Sequence, residues 1–200
     1  MGNNDIFEMI ANIYDTPERV HIAKVSTDAI KNLLVNTRDK DAIDFGCGTG
    51  LVGMDLLDKF RSILFLDTSQ NMLHIVNKKI SDANAQNASS LCLDLETSIN
   101  LDNSADYIFM AQVLLHIRDY TSVLSKLYNI LNHEGHLLLV DFNKNENVVS
   151  DLVHNGFDQE QLKAIMLEIG FKDVQTETFY TGSKLFMGQD ASMFIIDAKK

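Results

Sequence analysis

The chain has 200 residues, of which 46% are hydrophobic and 22% charged, and a net charge of −11. That length and balance fit one globular domain with a sizeable core and exclude a disordered chain. The excess of acid opposes binding to a phosphate backbone, and the 17 Lys and Arg form no basic patch that would override it. Cys47 and Cys92 stand alone, without a C-x-x-C pair, so no zinc or disulfide framework and no metal site is predicted, and a reducing, cytoplasmic setting is expected. No apolar run reaches the ~18 residues of a membrane span. The first ten residues, MGNNDIFEMI, lack the basic start and apolar core of a secretory signal.

Taken in chain order, residues 17–35 read as a helix, with Ile22, Val25, Ala29 and Leu33 at helical spacing, Thr16 as N-cap and Pro17 in the first turn. AIDF (42–45) is a short buried strand running into a glycine turn. Val52, Leu56 and Phe60 predict a helix, SILFL a second strand closed by Asp67, and Met72, Val76 and Ile80 the next helix. A polar connector precedes the strand-like SLCLDL, and DYIFMA is a fourth strand. A helical face runs from Tyr120 to Leu131. GHLLLVDF is a fifth strand, and Asp158 with Gln161 reads as a capping box opening a helix through Ile169. VQTETFY and SMFIIDA are both extended, a hairpin-like pair closing one sheet edge. The alternation of apolar strands with helices predicts an α/β fold: a doubly wound, Rossmann-like, mostly parallel seven-stranded sheet with an antiparallel last strand and helices on both faces.

The glycine turn carries the chemistry. Gly46, Gly48 and Gly50 let backbone approach a ligand where a Cβ would intrude, at the carboxyl end of a strand, where open α/β sheets bind ligands. Two ligand classes compete. Gly48, Gly50 and Gly53 satisfy the dinucleotide pattern G-x-G-x-x-G, with Asp67 ending the next strand, which would make the chain an NAD(P)-linked oxidoreductase. Asp44, two residues before the turn, argues the other way, because a carboxylate there repels a diphosphate and suits a ligand bearing an ammonium group.

With DFGCGTG at 44–50, LFLDTSQNML, LCLDLE, ADYIFMAQVLLHIRD and LNHEGHLLLVDF in this order, the sequence resembles the class I S-adenosylmethionine-dependent methyltransferases, in their small-molecule branch. The likeness runs over roughly residues 5–200. It implies one methyltransferase domain over 1–200, with 1–38 a helical lid and substrate segment and 39–200 a cofactor-binding core. It also implies S-adenosyl-L-methionine as cofactor, S-adenosyl-L-homocysteine as product, and in-line methyl transfer to a small molecule, not to nucleic acid or at a membrane. A protein that binds the cofactor without catalysis is the further alternative.

The resemblance implies residue roles as well. The Gly46–Cys47–Gly48 turn would pack against the methionine part, with Asp44 fixing the turn or the ammonium. Asp67 would accept the ribose hydroxyls, and Thr68 and Met72 would lie beside the adenine. Asp94 would accept from the adenine amino group and the Leu95 amide would donate to a ring nitrogen, while Ala111 and Gln112 would floor the site near the sulfonium. Tyr14 could present its ring to that cation, and Arg19 could reach the cofactor carboxylate. His116 is the candidate catalytic base. Leu115 stands where the family often has a first histidine. Residues 5–20 and the segment after the fifth strand, with His154 and Phe157, are the expected acceptor walls. The acceptor itself and the oligomeric state are not specified by any residue.

Overall fold

A computed structural model describes residues 3–94 and 103–200, with the side chains of 3–5 left aside. Seven strands make one sheet: β1 (Asp41–Phe45), β2 (Ser62–Asp67), β3 (Ala88–Cys92), β4 (Ala105–Ala111), β5 (Leu131–Phe142), β6 (Lys172–Phe186) and β7 (Gln189–Lys199). Their order across the sheet is β3-β2-β1-β4-β5-β7-β6. Pairings from β3 through to β5 are parallel, and β7 runs antiparallel to both of its neighbours. The last strand is therefore the reversed one, as expected. The strand order turns back at β1, so right-handed crossovers lay helices on both faces and leave a crevice outside the ends of β1 and β4.

The helices are α1 (Asn3–Ile10), α2 (Pro17–Leu33), α3 (Leu51–Met54), α4 (Gln70–Asp82), α5 (Tyr120–Ile130) and α6 (Gln159–Ile169). Their starts are written locally: Thr16, Ser69, Asp119 and Asp158 each accept, through the side chain, the amide three residues on. Ser26 and Thr27, buried in α2, return their hydroxyls to the carbonyls of Ile22 and Ala23. The core joins strand residues with no exposed surface, Phe65, Phe109, Phe194 and Leu137–Val140 among them, to helix residues equally buried, such as Ile30, Val76, Leu124 and Met166.

Two elements depart from expectation. The helix predicted through Phe60 stops at Met54 and resumes only as a 3-10 turn at Leu57–Lys59. The Asn87 side-chain amide donates to the carbonyls of Leu57 (2.9 Å) and Phe60 (3.2 Å), taking a role that a continuing helix would have filled. Leu56 and Phe60 are buried nonetheless. The fifth strand starts at Leu131, not at Gly135, because Leu131 already pairs with Ala105 before a register shift. Gly135 sits at that shift, where a Cβ would lie 2.8 Å from the Asn132 carbonyl oxygen. Among the described residues no helix is long and apolar enough to cross a membrane.

Candidate active site

The turn after β1 is held from beneath. Asp44 is 3% exposed, and its Oδ2 accepts the Gly53 amide at 3.0 Å. A Cβ on Gly53 would stand 2.5 Å from that oxygen and 2.5 Å from the Phe65 ring, so the start of α3 is pressed onto β1 and β2. Burial pushes the Asp44 carboxyl up to about 8, with Asp67 adding in the same direction and the Gly53 amide pulling back. Its side chain is absent from the lining of the two cavities described below. Of the two roles expected for Asp44, fixing the turn is the one its bond to the Gly53 amide serves.

Above the turn lies a cavity of about 670 Å³ at the ends of β1, β2 and β4. Gly46, Cys47 and Gly48 form one wall, Asp67, Thr68 and Met72 a second, and Ala111 and Gln112 the floor. Asp94, Tyr14 and His116 line it as well. The structure thus brings together every expected ligand-contact residue except Asp44 and Leu95; Leu95 lies outside the described residues. Phe157 is buried and lines neither this cavity nor its neighbour, whereas His154 reaches this one.

The backbone of the turn decides between ligands. The amides of Gly46 and Cys47 both donate to the Leu66 carbonyl (2.7 and 3.0 Å), Gly50 donates to the Cys47 carbonyl, and Gly48 donates to Asp67 Oδ2 at 2.8 Å. A phosphate cradle needs such amides open toward the ligand; here four are spent inside the protein. All three glycines of the dinucleotide pattern, Gly48, Gly50 and Gly53, thus spend their amides inside the protein, which disfavours a diphosphate there.

The donor set suits a nucleoside without phosphates. Asp67 takes the amides of Gly48 and Ser69 at 2.8 and 2.9 Å, and a carboxylate has about four lone-pair sites. With the Thr68 amide also on this carboxylate, acceptor capacity is still left for a ribose hydroxyl. Burial raises the Asp67 carboxyl, and the amides of Ser69, Gly48 and Thr68 oppose that rise. Cys47 is held as a neutral thiol, its pKa pushed up by burial and by the carboxylates of Asp44 and Asp67.

The cleft is covered by α1 and the turn after it. Glu8 accepts the amides of Gln70 and Asn71 at the start of α4, and Asn71 returns a bond to the Glu8 carbonyl at 3.0 Å. Asp15 joins the Thr49 hydroxyl and, at 2.8 Å, Lys79, which also donates to the Thr49 carbonyl. The covering segment is thereby tied to the glycine turn itself. Tyr14 lies against Gly48, 3.8 Å from where a Cβ would stand. One face of its ring is occupied by the Arg19 guanidinium, 4.1 Å from the centroid, so at most the other face is left for a ligand cation. Phe7 packs edge-to-face on His116 at 5.0 Å.

His116 closes the short turn Leu114–His116 after β4. Buried Asp141 holds that turn by accepting the Leu115 amide at 3.1 Å, and burial pushes its carboxyl up to about 7. Burial pushes His116 the other way, down to about 4, so its imidazole is neutral near pH 7. Gln112 precedes it with φ +57, a left-handed backbone uncommon outside glycine and found often where strain serves a site. Sequence reasoning missed Glu8, Asp15 and Asp141; the short acids lie far in sequence from the groups they bind, and no local pattern marks them.

A family model described as "Methyltransferase domain" matches residues 43–137. An uncharacterized methyltransferase of Schizosaccharomyces pombe is 29% identical over 122 residues, 56% of this chain and 42% of that protein. The demethylmenaquinone methyltransferase of Listeria monocytogenes is 26% identical over 142 residues, 68% of this chain and 60% of its own length. The chain thus spans less than two thirds of these curated relatives. Haemonchus contortus phosphoethanolamine N-methyltransferase 2, solved in complex with S-adenosyl-L-methionine, shares the fold with a TM-score of 0.74 at 14% identity, over 97% of this chain and 60% of that one.

Proposed function

We propose, from the premise that the chain belongs to the class I S-adenosylmethionine-dependent methyltransferases, that it moves the methyl group of that cofactor onto a small-molecule acceptor by in-line displacement. The observation that carries this reading is the turn whose amides are consumed internally while Asp67 keeps its carboxylate at the cavity wall. The bound cofactor would supply an electrophilic methyl on a sulfonium, whose C–S electron pair stays with sulfur as the acceptor's lone pair forms the new bond.

The chain's own residues would do the rest. Asp67 accepts the ribose hydroxyls, Thr68 and Met72 flank the adenine, and Asp94 accepts its amino group. Arg19 also lines the cavity, with its guanidinium held by the Tyr14 ring and carbonyl. Ala111 and Gln112 set the floor against which the acceptor approaches, and His116, neutral at pH 7, takes the acceptor's proton. Positioning in a covered cleft is worth up to ~7–11 kcal/mol of such a barrier. The lid reading of residues 1–38 is supported by the ties of Glu8 and Asp15 to α4 and Thr49. A small acceptor agrees with the names of the relatives above and with the net charge of −11, which disfavours nucleic acid. Two free cysteines fit a cytosolic setting.

Calorimetric titration of the chain with S-adenosylhomocysteine and with NADH tests the reading. One-site binding of the first and none of the second is expected; NADH binding without S-adenosylhomocysteine binding overturns it.

A further inference from the structure

The cofactor cleft adjoins a second cavity of about 540 Å³, and the two share the walls made by Phe7, Tyr14, Gln112, Leu115 and His116. The other walls come from distant parts of the chain: Ile6 and Ile10 of α1, Ile22 of α2, and Leu185 and Phe186 on the far arm of the β6–β7 hairpin. Phe142, at the end of β5, stacks flat on Phe186 with centroids 4.3 Å apart and planes 8° from parallel.

Charge is kept out of this chamber's interior. Its charged lining residues, Glu18, Arg19 and Lys184, are all solvent-exposed, as is His21, whose ring nitrogen bonds the Tyr180 hydroxyl at 3.2 Å. The Arg19 guanidinium is already engaged with the Tyr14 ring and, at 3.1 Å, with the Tyr14 carbonyl. A phosphate or carboxylate entering here would give up hydration with no buried cation to replace it. An apolar ring body would only release water. The polar end is the shared wall, where Gln112 and His116 stand between the two cavities. A volume of this size suits a ligand of two or three fused rings.

Resting on the methyl-transfer reading, we propose that this chamber takes an uncharged, largely apolar ring compound whose hydroxyl group is presented at the Gln112–His116 wall and becomes the methyl acceptor. The hydroxyl oxygen forms the new C–O bond, the C–S pair remains on sulfur, and the hydroxyl proton passes to the His116 imidazole and then to water. The weak basicity of this buried imidazole agrees with oxygen as acceptor: a hydroxyl turns strongly acidic as its oxygen is alkylated, whereas an alkylated amine holds its proton far more tightly.

The test titrates the full chain, loaded with S-adenosylhomocysteine, with 2-naphthol and with 2-naphthyl phosphate, and assays methyl transfer from labelled S-adenosylmethionine to 2-naphthol and 2-naphthylamine. 2-Naphthol is expected to bind at least tenfold tighter than its phosphate ester and to yield the methyl ether. Leu185→Arg should lower its affinity at least tenfold with S-adenosylhomocysteine affinity within twofold of the parent; Met187→Arg, at an exposed lining position, should do the same without touching the core. Equal or tighter binding of the phosphate ester, no binding of 2-naphthol to the loaded chain, methylation of the amine instead of the alcohol, or both variants binding 2-naphthol like the parent would overturn the inference. Failure of S-adenosylhomocysteine itself to bind the parent chain would overturn the methyl-transfer reading beneath it.

Discussion

The two cavities are built on opposite principles. The cofactor cleft is walled by short turns at the ends of β1, β2 and β4, and the carboxylate of Asp67 on its wall is fixed by backbone amides. The adjoining chamber is walled by α1, α2 and the β6–β7 hairpin, and its lining is mainly apolar, with Gln112 and His116 on the side it shares with the cleft. On the proposed reading, the first recognises a ligand by the direction of hydrogen bonds and the second by shape and lack of charge. Substitutions should therefore act on the two independently, except at the residues they share.

The shared wall should give the largest effect. His116→Gln is expected to lower turnover about 10²–10⁴-fold, the usual range for a lost acid–base group, with S-adenosylhomocysteine affinity little changed. A single-turnover assay reads this, and turnover within threefold of the parent would remove His116 from the chemistry. Next comes the cleft alone. Asp67→Ala should weaken S-adenosylhomocysteine about 100-fold, two hydrogen bonds to a charged acceptor being worth ~3 kcal/mol together. Calorimetry showing unchanged affinity would break the ribose assignment. The cover should matter less: Glu8→Ala removes a cap from α4, a loss of ~1 kcal/mol, and should raise the cofactor's dissociation rate about fivefold in stopped-flow measurements.

The smallest effect is a pH dependence that belongs to the scaffold of the cleft. Asp44 and Asp141, pushed up to about 8 and about 7, bind protons in the folded chain that the unfolded chain has already released. Their contribution to stability is greatest below the ordinary carboxylate range and is lost as pH rises through those values. His116, lowered to about 4, acts with the opposite sign between about 4 and its ordinary 6.5. Above 6.5 only the carboxylates remain, so urea midpoints should fall from pH 6.5 to 8, and Asp44→Asn should shallow that fall. A midpoint rising over that window would contradict the assignment.

The same contrast explains what could be read beforehand. The caps Thr16 and Asp158 act three residues from their partners, so their spacing carries the information; the glycine turn and Asp67, 19 residues apart, were legible through the resemblance of their motifs. The broken helix after Met54 could not be foreseen, since its carbonyls are taken by Asn87, some 30 positions away. Nor could the chamber, because nothing local pairs Ile6 with Leu185 or Phe142 with Phe186. Asp44 was legible as an acid beside the turn; its bond to the Gly53 amide, nine residues on, was not.

The position of β7 between β5 and β6 has a consequence for synthesis. The strand made last lies inside the sheet, so Leu137–Val140 on β5 have no neighbour on that flank until residues 189–199 have left the ribosome. Until then a nascent chain presents a bare aliphatic border, the kind that joins other chains, and β6 has nothing to dock on. Chaperone contact during translation should accordingly concentrate on that border and end when β7 is inserted.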